Sequence, residues 1–242
     1  MDTFLSSTRP MFRNQILQTL PAGELRRLRP YLTRVRLING DVLHRAGNQI
    51  EYAFFVEQGF VSLVAEADGI ESRVEVGLVG RESVVGSSVL LAADAASYVQ
   101  AMVQMSGTAY CIPAATLHAS LDQAPVLRRF MRQALEASIV QLAQTAACNS
   151  RHTLPERLAR WLLMAHDRLD GNELPMTQEL LAIMLAVRRP GITIAVNALQ
   201  AAGLLRHSRG RITICDRPGL EAAACTCYKR MLIFGNSQPP PG

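Results

Sequence analysis

A stretch near the middle of the chain constrains the fold most, because its composition is that of one long helix. Residues 124–149 contain no glycine, and their only proline, Pro125, stands where a first helical turn tolerates it. At 1.5 Å per residue such a helix is roughly 36 Å long and needs a surface to lie against. The stretch therefore divides the chain into a part before it and a part after it.

One face of this stretch repeats at alternating spacings of four and three residues, which is typical of a coiled-coil seam. The seam residues are Met131, Leu135, Ser138, Leu142 and Thr145. Two of them are small or polar, so the seam is weaker than a leucine zipper. The stripe could pack on the chain's own barrel or on a second copy. We expect residues 124–150 to form a dimerisation helix, mainly because of the module that follows it.

The part before the helix changes from a helical pattern to short β-type runs. Residues 12–32 carry leucines at helical spacing, whereas residues 35–113 form short apolar runs broken by glycines. Within them, Asp68-Gly69 is typical of a type I′ hairpin turn. Many short strands at close spacing predict an antiparallel barrel or sandwich. We assign residues 1–123 to this β-rich domain.

The part after the helix predicts short helices followed by a hairpin, over residues 151–235. Residues 154–167 have one apolar face, and Thr177 is a good N-cap for the next helix. A connection at 187–191 leads into a further helix that ends at Gly203. Its expected buried face is Ile192, Ala195, Val196 and Leu199. Two helices joined by a short turn have the proportions of a helix-turn-helix.

A compact basic hairpin follows at residues 204–214, around Ser208-Arg209-Gly210. Residues 1–150 carry 13 basic and 13 acidic side chains, whereas residues 151–242 carry 12 basic and 7 acidic ones. The whole excess of positive charge therefore lies in the C-terminal part, which favours a polyanionic partner. The predicted phosphate contacts are Thr177, Arg206, Arg209 and Arg211.

This order of parts resembles the Crp/Fnr family of bacterial transcription regulators over nearly the whole chain. The most specific match has three blocks: Thr177-Gln-Glu-Leu-Leu-Ala182, Val187-Arg-Arg-Pro-Gly-Ile-Thr193 and Leu199-Gln-Ala-Ala-Gly-Leu-Leu205. In the N-terminal part, Gly59, Asp68-Gly69, Gly80 and Gly86 resemble the family's spaced turn glycines. The resemblance implies an α+β protein with an antiparallel, jelly-roll-like β-roll sensor domain, a long dimerisation helix and a C-terminal winged helix-turn-helix domain.

The resemblance also implies which side chains read DNA bases. Arg189 occupies the family's arginine position at the start of the recognition helix, and arginine can bind guanine O6 and N7 in a bidentate manner. Arg188, Thr193 and Asn197 are further predicted base contacts. Pro190 stands where many members carry glutamate, and Ile194 where another arginine is common. The base sequence read by this chain should therefore differ from that of the best-known members.

The predicted effector pocket departs from the cyclic-AMP-binding members of the family. Those members carry a glutamate after the glycine at the position of Gly86, and an Arg-Ser or Arg-Thr pair about ten residues later. Here Ser87 follows Gly86, residues 93–97 read Ala-Asp-Ala-Ala-Ser97, and no arginine occurs between Arg81 and Arg128. A cyclic phosphate needs a positive partner. We expect a degenerate pocket at Gly86, Ser87 and Ser97, with another small molecule or none as effector.

The cysteines and histidines predict no cofactor and no metal. Residues 1–110 lack cysteine, which disfavours the family's iron–sulfur branch. A haem would need an axial ligand such as His44 or His118, but a lone histidine is more often an ordinary side chain. Cys225-Thr226-Cys227 has no second pair nearby in sequence and is a poor zinc signature. Cys148 would be a redox trigger only if activated; we expect a buried, inert thiol.

Two other classes of function remain open on the residues alone. A cupin-like metalloenzyme would need clustered ligands, but residues 35–113 contain only His44. The second class is an interaction module that binds an acidic protein. It would not explain why a helix-turn-helix pattern is followed by a basic hairpin. We therefore expect a non-enzymatic regulator whose partners are double-stranded DNA, a second copy of itself and RNA polymerase. No signal peptide or membrane span is predicted, which favours the cytoplasm; residues 236–242 resemble a disordered tail.

Overall fold

The computed structural model describes residues 12–66 and 73–235. The hairpin turn predicted at Asp68-Gly69 and the tail predicted at 236–242 lie outside the described residues. The fold is α+β: an antiparallel sheet domain, one long helix, and a helical domain that carries a small three-stranded sheet. The sequence prediction of the fold class is confirmed.

Two short helices replace the single helical region expected at residues 12–32. Helix α1 spans Gln15–Thr19 and helix α2 spans Ala22–Leu28, with a 3₁₀ turn at Arg29–Tyr31. The break falls at Pro21, which lacks the N–H that a continuous helix would require. Asn14 caps α1, because its side chain accepts a hydrogen bond of 3.2 Å from the Leu17 N–H.

The N-terminal sheet has six strands with the order β1-β6-β3-β4, and β2 and β5 pair with β6 and β3. All of these pairs are antiparallel. The strands are β1 Thr33–Leu37, β2 Val42–His44, β3 Tyr52–Glu66, β4 Arg73–Val79, β5 Val84–Val85 and β6 Gln100–Pro113. Residues 52–56 and 60–65 are two of the expected short apolar runs, separated by Gln58-Gly59, and they belong to one strand.

Strand β3 is continuous because it bulges where the sequence suggested a break. The register with β6 shifts between Gln58 and Val61. Gly59 has a φ of 77°, and a Cβ built on it would lie 2.3 Å from the Met105 carbonyl oxygen. Only glycine fits that approach, so the glycine bends the strand rather than ending it.

Helix α4 spans Pro125–Arg151, close to the range predicted from the sequence, and follows the short helix α3 at Ala114–Ser120. Its first half packs against the sheet domain, where Leu127, Phe130 and Met131 join one apolar core. Its second half packs against the C-terminal helix of the described chain. Met131 and Thr145 are 0% and 5% exposed within a single chain, so neither has surface to offer a second chain.

The C-terminal domain contains five helices and three strands in the described residues. The elements are α5 Leu154–His166, β7 Glu173–Leu174, α6 Gln178–Met184, α7 Arg189–Ala201, β8 Leu205–Ser208, β9 Arg211–Ile214, α8 Arg217–Ala223 and α9 Cys227–Gly235. Helix α5 begins with a capping box. The Thr153 side chain accepts a hydrogen bond from the Glu156 backbone N–H, and the Glu156 side chain accepts one from the Thr153 backbone N–H. The small sheet has the order β7-β9-β8.

The two domains share one apolar core, in which residues from both are buried. Phe60 and Leu78 from the sheet cluster with Trp161 and the rest of the helical core. At the same contact, the Trp161 indole N–H donates to Glu75 Oε1 at 2.6 Å. The Ser62 hydroxyl donates to Glu75 Oε2 at 2.6 Å. No pattern in the sequence indicates this contact.

Ion pairs at the edge of this contact also join the two domains. Arg168 binds Glu82 at 2.7 Å and donates to the Leu78 carbonyl at 3.3 Å. Asp170 pairs with both Arg13 and Arg81, at 2.5 and 2.9 Å. No helix in the part of the chain that the structure describes is long and apolar enough to cross a membrane.

Candidate nucleic-acid interface and effector region

Helices α6 and α7 form a two-helix unit joined by a tight turn. Thr177 caps α6, because its Oγ1 accepts a hydrogen bond of 3.2 Å from the Leu180 N–H. Ala186 has a φ of 50°, which reverses the chain between the helices. Arg188 is the extended N-cap of α7, and Pro190 lies in the first turn. The turn that was predicted at 187–191 is therefore shorter, since α7 already begins at Arg189.

The buried face of α7 has the composition that the sequence predicted. Ile192, Ala195, Val196 and Leu199 are at most 5% exposed. This face packs on α5 and α6, which leaves the opposite face of α7 in solvent. The exposed face includes Arg189 and Asn197, and Ile194 is 71% exposed. An isoleucine at that exposure contributes nothing to the core and is free to contact a partner.

The predicted base contacts are not equally accessible. Arg188, Arg189 and Asn197 are exposed, whereas Thr193 is half-buried. The Thr193 hydroxyl donates to Gln178 Oε1 at 2.7 Å and thereby ties α7 to α6. Arg189 forms an ion pair of 2.8 Å with Glu179 at a well-exposed position. Such a surface pair contributes little free energy, so Arg189 can leave it at small cost.

The hairpin β8–β9 lies beside this two-helix unit. Arg209 and Gly210 have φ values of 44° and 76°, the pair of positive φ angles that a type I′ turn requires. A Cβ built on Gly210 would lie 3.5 Å from Thr177 Cγ2, which places the hairpin tip next to the start of α6. The His207 N–H donates to Gln200 Oε1 at 2.9 Å, which anchors the hairpin to α7.

The four predicted phosphate contacts therefore belong to one connected surface, formed by the start of α6 and the hairpin. Arg206 and Arg209 are exposed and form no ion pair with the described residues. Arg211 is also exposed and pairs with Glu173 at 3.3 Å. Unpaired arginines beside a helix start form a surface that suits a phosphate backbone.

The residues of the predicted effector pocket lie in the sheet domain, where Ser87 and Ser97 are buried and Gly86 is half-buried. Gly86 has a φ of 88°, and a Cβ there would lie 2.9 Å from His44 Cε1. Ser87 and Ser97 are 8% and 7% exposed, and the Ser97 hydroxyl donates to the Val99 carbonyl at 2.6 Å. Burial lowers the pKa of His44, so its imidazole is neutral near pH 7. The ring beside Gly86 therefore offers no positive charge to a phosphate.

A separate cleft of about 660 Å³ lies between the two domains. It is lined by α1, β4, the loop before β5, α4, α5 and α9. Gly86, Ser87 and Ser97 are not among its lining residues. No sequence pattern indicates this cleft, because its walls come from segments far apart in the chain.

Two family models match the chain. Residues 34–124 match the cyclic nucleotide-binding domain, and residues 156–223 match the Crp-like helix-turn-helix domain. Together the matches cover about two-thirds of the chain and leave most of α4 between them. The chain belongs to the Crp/Fnr family. This family membership makes the chain a transcription regulator with a helix-turn-helix DNA-binding domain.

Solved structures of Crp/Fnr regulators share this fold. FixK2 from Bradyrhizobium japonicum superposes with a TM-score of 0.68 at 17% identity, covering 80% of this chain and 98% of that one. The c-di-GMP-responsive regulator CLP of Xanthomonas campestris gives 0.63 at 21% identity, covering 80% and 99%. TTHA1359 from Thermus thermophilus gives 0.63 at 20%, covering 79% and 98%. No curated protein sequence matches this chain.

The cysteine pair near the C-terminus does not stand alone in the folded Crp/Fnr chain. In the sequence, Cys225 and Cys227 are a poor metal signature because no second pair lies nearby. The structure brings Cys148 and His152, from the end of α4, to these two cysteines. Cys148 is buried, as expected, and it forms a cluster with two other buried thiols, those of Cys225 and Cys227.

Proposed function

We propose that this regulator acts as a homodimer that binds double-stranded DNA in a sequence-specific manner and is not controlled by cyclic AMP. The observation that carries the proposal is the surface built by the start of α7, the N-cap of α6 and the basic hairpin. The helix-turn-helix would bind the DNA, and RNA polymerase is a further proposed partner. The proposed site of action is the cytoplasm, where bacterial DNA lies.

Base contacts are assigned to Arg189, Arg188 and Asn197, with Thr193 acting mainly by holding α7 against α6. Arg189 comes first because it is exposed at the N-terminal end of α7, the end that enters the major groove in this class of domain. Phosphate contacts are assigned to Thr177, Arg206, Arg209 and Arg211. Residues 151–235 would form the DNA-binding domain, residues 124–150 the dimerisation helix and residues 1–123 the sensor domain.

The proposed dimer interface uses the exposed face of α4. Leu135, Ile139, Leu142 and Ala146 follow the same alternation of four and three residues as the seam expected from the sequence. Ile139 is 60% exposed and Leu142 is 37% exposed in the single chain. Ser138, expected in the seam, is half-buried and donates to the Ala134 carbonyl of its own helix. The interface therefore keeps Leu135 and Leu142 and loses Met131 and Thr145.

Control by cyclic AMP is disfavoured by the region around Gly86. No arginine occurs between Arg81 and Arg128, and the nearby His44 is held neutral by burial. A cyclic phosphate buried there would have no positive partner, which is costly. Calorimetric titration with cyclic AMP should therefore give no binding heat. Binding at micromolar concentration would contradict this part of the proposal and leave the DNA-binding part intact.

The DNA-binding proposal is tested by selecting duplexes from a random pool and measuring their affinity against salt. We expect the logarithm of the binding constant to fall linearly with the logarithm of salt concentration, because phosphate contacts release counterions. Arg189→Ala should cost about 1–3 kcal/mol on the selected site and change the preference at one base pair. Arg34→Ala, an exposed arginine on β1, serves as the control and should leave the affinity unchanged.

An equal loss of affinity by Arg189→Ala on every sequence would mean that Arg189 contacts phosphate and not a base. If no duplex is enriched, and affinity does not depend on salt, the proposed function is wrong. The alternative, an interaction module, predicts that no duplex is enriched and that the chain binds an acidic protein instead.

A further inference from the structure

Four side chains with metal-binding atoms meet where the end of α4 faces the start of α9. Cys148 and His152 stand one helical turn apart at the end of α4. Cys227 is the first residue of α9, and Cys225 lies two residues before it. The three Sγ atoms and one imidazole nitrogen all lie within 4.8 Å of one another. The two pairs are separated by more than seventy positions in the chain, so only the fold brings them together.

The spacing of these atoms fits a tetrahedral metal ion. Cys148 Sγ lies 3.5 Å from Cys225 Sγ, and Cys227 Sγ lies 3.5 Å from His152 Nδ1. Zinc binds sulfur at about 2.3 Å and imidazole nitrogen at about 2.0–2.1 Å, so tetrahedral ligand atoms are roughly 3.5–3.8 Å apart. The side chains therefore need to move little to enclose an ion.

The cluster is closed to solvent and has a polar partner of its own. Cys148, Cys225 and Cys227 are at most 5% exposed, and His152 is half-buried. The Gln144 amide N–H donates to Cys227 Sγ at 2.9 Å, one turn before Cys148 on the same helix. A donor to a ligand sulfur stabilises the thiolate and orients it, as second-layer groups do in metal sites.

The charge around the cluster supplies an independent argument. Arg157 and Arg160 on α5 are 9% and 3% exposed and form no ion pair with a carboxylate among the described residues. The Nε atoms of both have no hydrogen-bond acceptor in the described chain. Buried cations without a counter-charge are costly. A zinc ion with three thiolates and a neutral histidine carries one net negative charge, which would offset part of the positive charge of these two arginines.

A buried carboxyl group near Arg160, that of Glu75, does not supply that charge in full. Glu75 interacts electrostatically with Arg160, but its burial raises its pKa to about 7. A carboxyl group that is only partly ionised near pH 7 leaves the two arginines short of negative charge. The thiol cluster is the remaining source beside them, since the Cys148 charge interacts with both arginines.

We propose that Cys148, His152, Cys225 and Cys227 bind one zinc ion in a closed tetrahedral site. Three thiolates and one imidazole suit zinc better than calcium or magnesium, which prefer oxygen ligands. Binding releases the thiol protons to solvent and leaves His152 Nδ1 as the fourth ligand. The ion joins the end of α4, which precedes the DNA-binding domain, to the start of α9, the last helix of that domain.

A disulfide between Cys148 and Cys225 is the alternative use of the same side chains. It would require the two sulfur atoms to approach from 3.5 Å to about 2.05 Å. It would use neither Cys227 nor His152, and it would bring no negative charge to the two buried arginines. The metal site uses all of these groups.

The test uses the full chain, stripped of metal with a chelator under reducing conditions and titrated with Co²⁺ without oxygen. We expect one Co²⁺ per chain, with the intense visible bands of tetrahedral cobalt and sulfur-to-cobalt charge-transfer absorption. One equivalent of Zn²⁺ should abolish these bands. Cys215→Ser is the matched control, because Cys215 is an exposed thiol outside the cluster, and it should behave as the unchanged protein does.

Two variants separate loss of the site from loss of the fold. Cys227→Ser should lower the zinc affinity by more than about 100-fold, since it removes a ligand and not an outer partner. Gln144→Ala keeps all four ligands and should weaken zinc binding roughly 10- to 100-fold. If Cys227→Ser does not fold, the cobalt spectrum of the unchanged chain and the Gln144→Ala affinity still decide.

Two results would overturn the proposal. One is a reduced, unchanged chain that takes up no cobalt in tetrahedral form. The other is a Cys148–Cys225 disulfide, found by mass spectrometry after alkylation, in a chain whose reduced form binds no metal. Neither result bears on DNA binding, which is measured separately.

Discussion

At the scale of single residues, Glu75 is a buried acidic group with a strongly raised pKa. Its carboxyl group is buried at the contact between the two domains, where it accepts hydrogen bonds from Ser62 and Trp161. Burial raises its pKa from 4.5 to about 7, although both hydrogen bonds and the nearby Arg160 and Arg168 oppose the shift. The protonation state of one side chain is therefore linked to how firmly the domains pack.

The sign of the resulting pH dependence follows from proton binding. Between about pH 4.5 and about pH 7 the folded chain holds a proton on Glu75 that the unfolded chain has lost. The free energy of unfolding is therefore largest at the acidic end of this range and falls as pH rises through about 7. Each unit of pKa shift corresponds to about 1.4 kcal/mol.

Glu75→Gln should remove this contribution, because an amide of the same shape stays neutral at every pH. We expect the melting temperature of the unchanged chain to fall more than that of the variant between about pH 5.5 and about pH 8. Glu51→Gln, at an exposed position in the same domain, is the control and should keep the original pH dependence. Equal slopes for the unchanged chain and Glu75→Gln would show that Glu75 does not titrate in this range.

The sequence could identify residues whose role depends on local pattern, and not those whose role depends on distant neighbours. The buried face of α7 and the cap at Thr177 follow from spacing along one helix, and both are observed. Glu75 sits in a strand where an acidic residue is ordinarily exposed. Nothing within the strand indicates that Trp161 will cover it.

At the scale of elements, α4 shows that the extent of a helix is easier to predict than the face it exposes. Its length follows from the absence of glycine over residues 124–149, and the structure places it at Pro125–Arg151. The heptad pattern does not say which stripe faces the chain's own domains. Met131 contributes to the sheet-domain core, and Thr145 lies within 3.5 Å of Arg160 on α5. The stripe left exposed is therefore rotated from the expected seam.

Leu142→Asp tests the proposed dimer interface on that exposed stripe. A carboxylate placed at the centre of an apolar interface loses its hydration, so the dimer should dissociate. We expect the dimer dissociation constant to rise about 100-fold or more, measured by sedimentation equilibrium. Leu91→Asp makes the same chemical change at a leucine that is 64% exposed outside α4, and should leave the dimer intact.

The same variant also checks the link between the dimer and DNA. Monomeric Leu142→Asp should lose affinity for a two-fold symmetric site much more than for a single half-site. A chain that sediments as a monomer before any substitution would contradict the dimer proposal directly.

At the scale of the whole molecule, the order of the modules was predictable and their mutual contacts were not. Each module has its own local signal: strand spacing, glycine absence, or the helix-turn-helix pattern. The shared core of Phe60, Leu78 and Trp161 joins modules whose signals are independent. The thiol cluster likewise joins Cys148 to Cys225, 77 positions later. A single sequence does not indicate which residues far apart in the chain will be in contact.

Chelation should reveal the contribution of the proposed zinc site to the stability of the whole chain. A ligand that binds only the folded chain, at a free concentration about 1,000 times its dissociation constant, adds about 4 kcal/mol. For a chain of this size we expect removal of zinc to lower the melting temperature by roughly 10 °C. Cys215→Ser should respond in the same way as the unchanged chain.

Cys227→Ser should melt at the same temperature with and without the chelator, since it has no tight site to empty. A chelator effect of equal size in Cys227→Ser and in the unchanged chain would place the responsible metal elsewhere.

The meeting of α4 with the start of α9 has a mechanical consequence. Residues 153–224 leave the long helix and return to it at nearly the same place, so they form an insert whose two ends coincide. A rotation of this insert about the point where its ends meet would have to break its contacts with the sheet domain at Trp161 and Arg168. A small rotation there displaces Arg189 in proportion to its distance from that pivot. In a symmetric dimer the two recognition helices would turn together, related by the two-fold axis, and the gap between them would open or close.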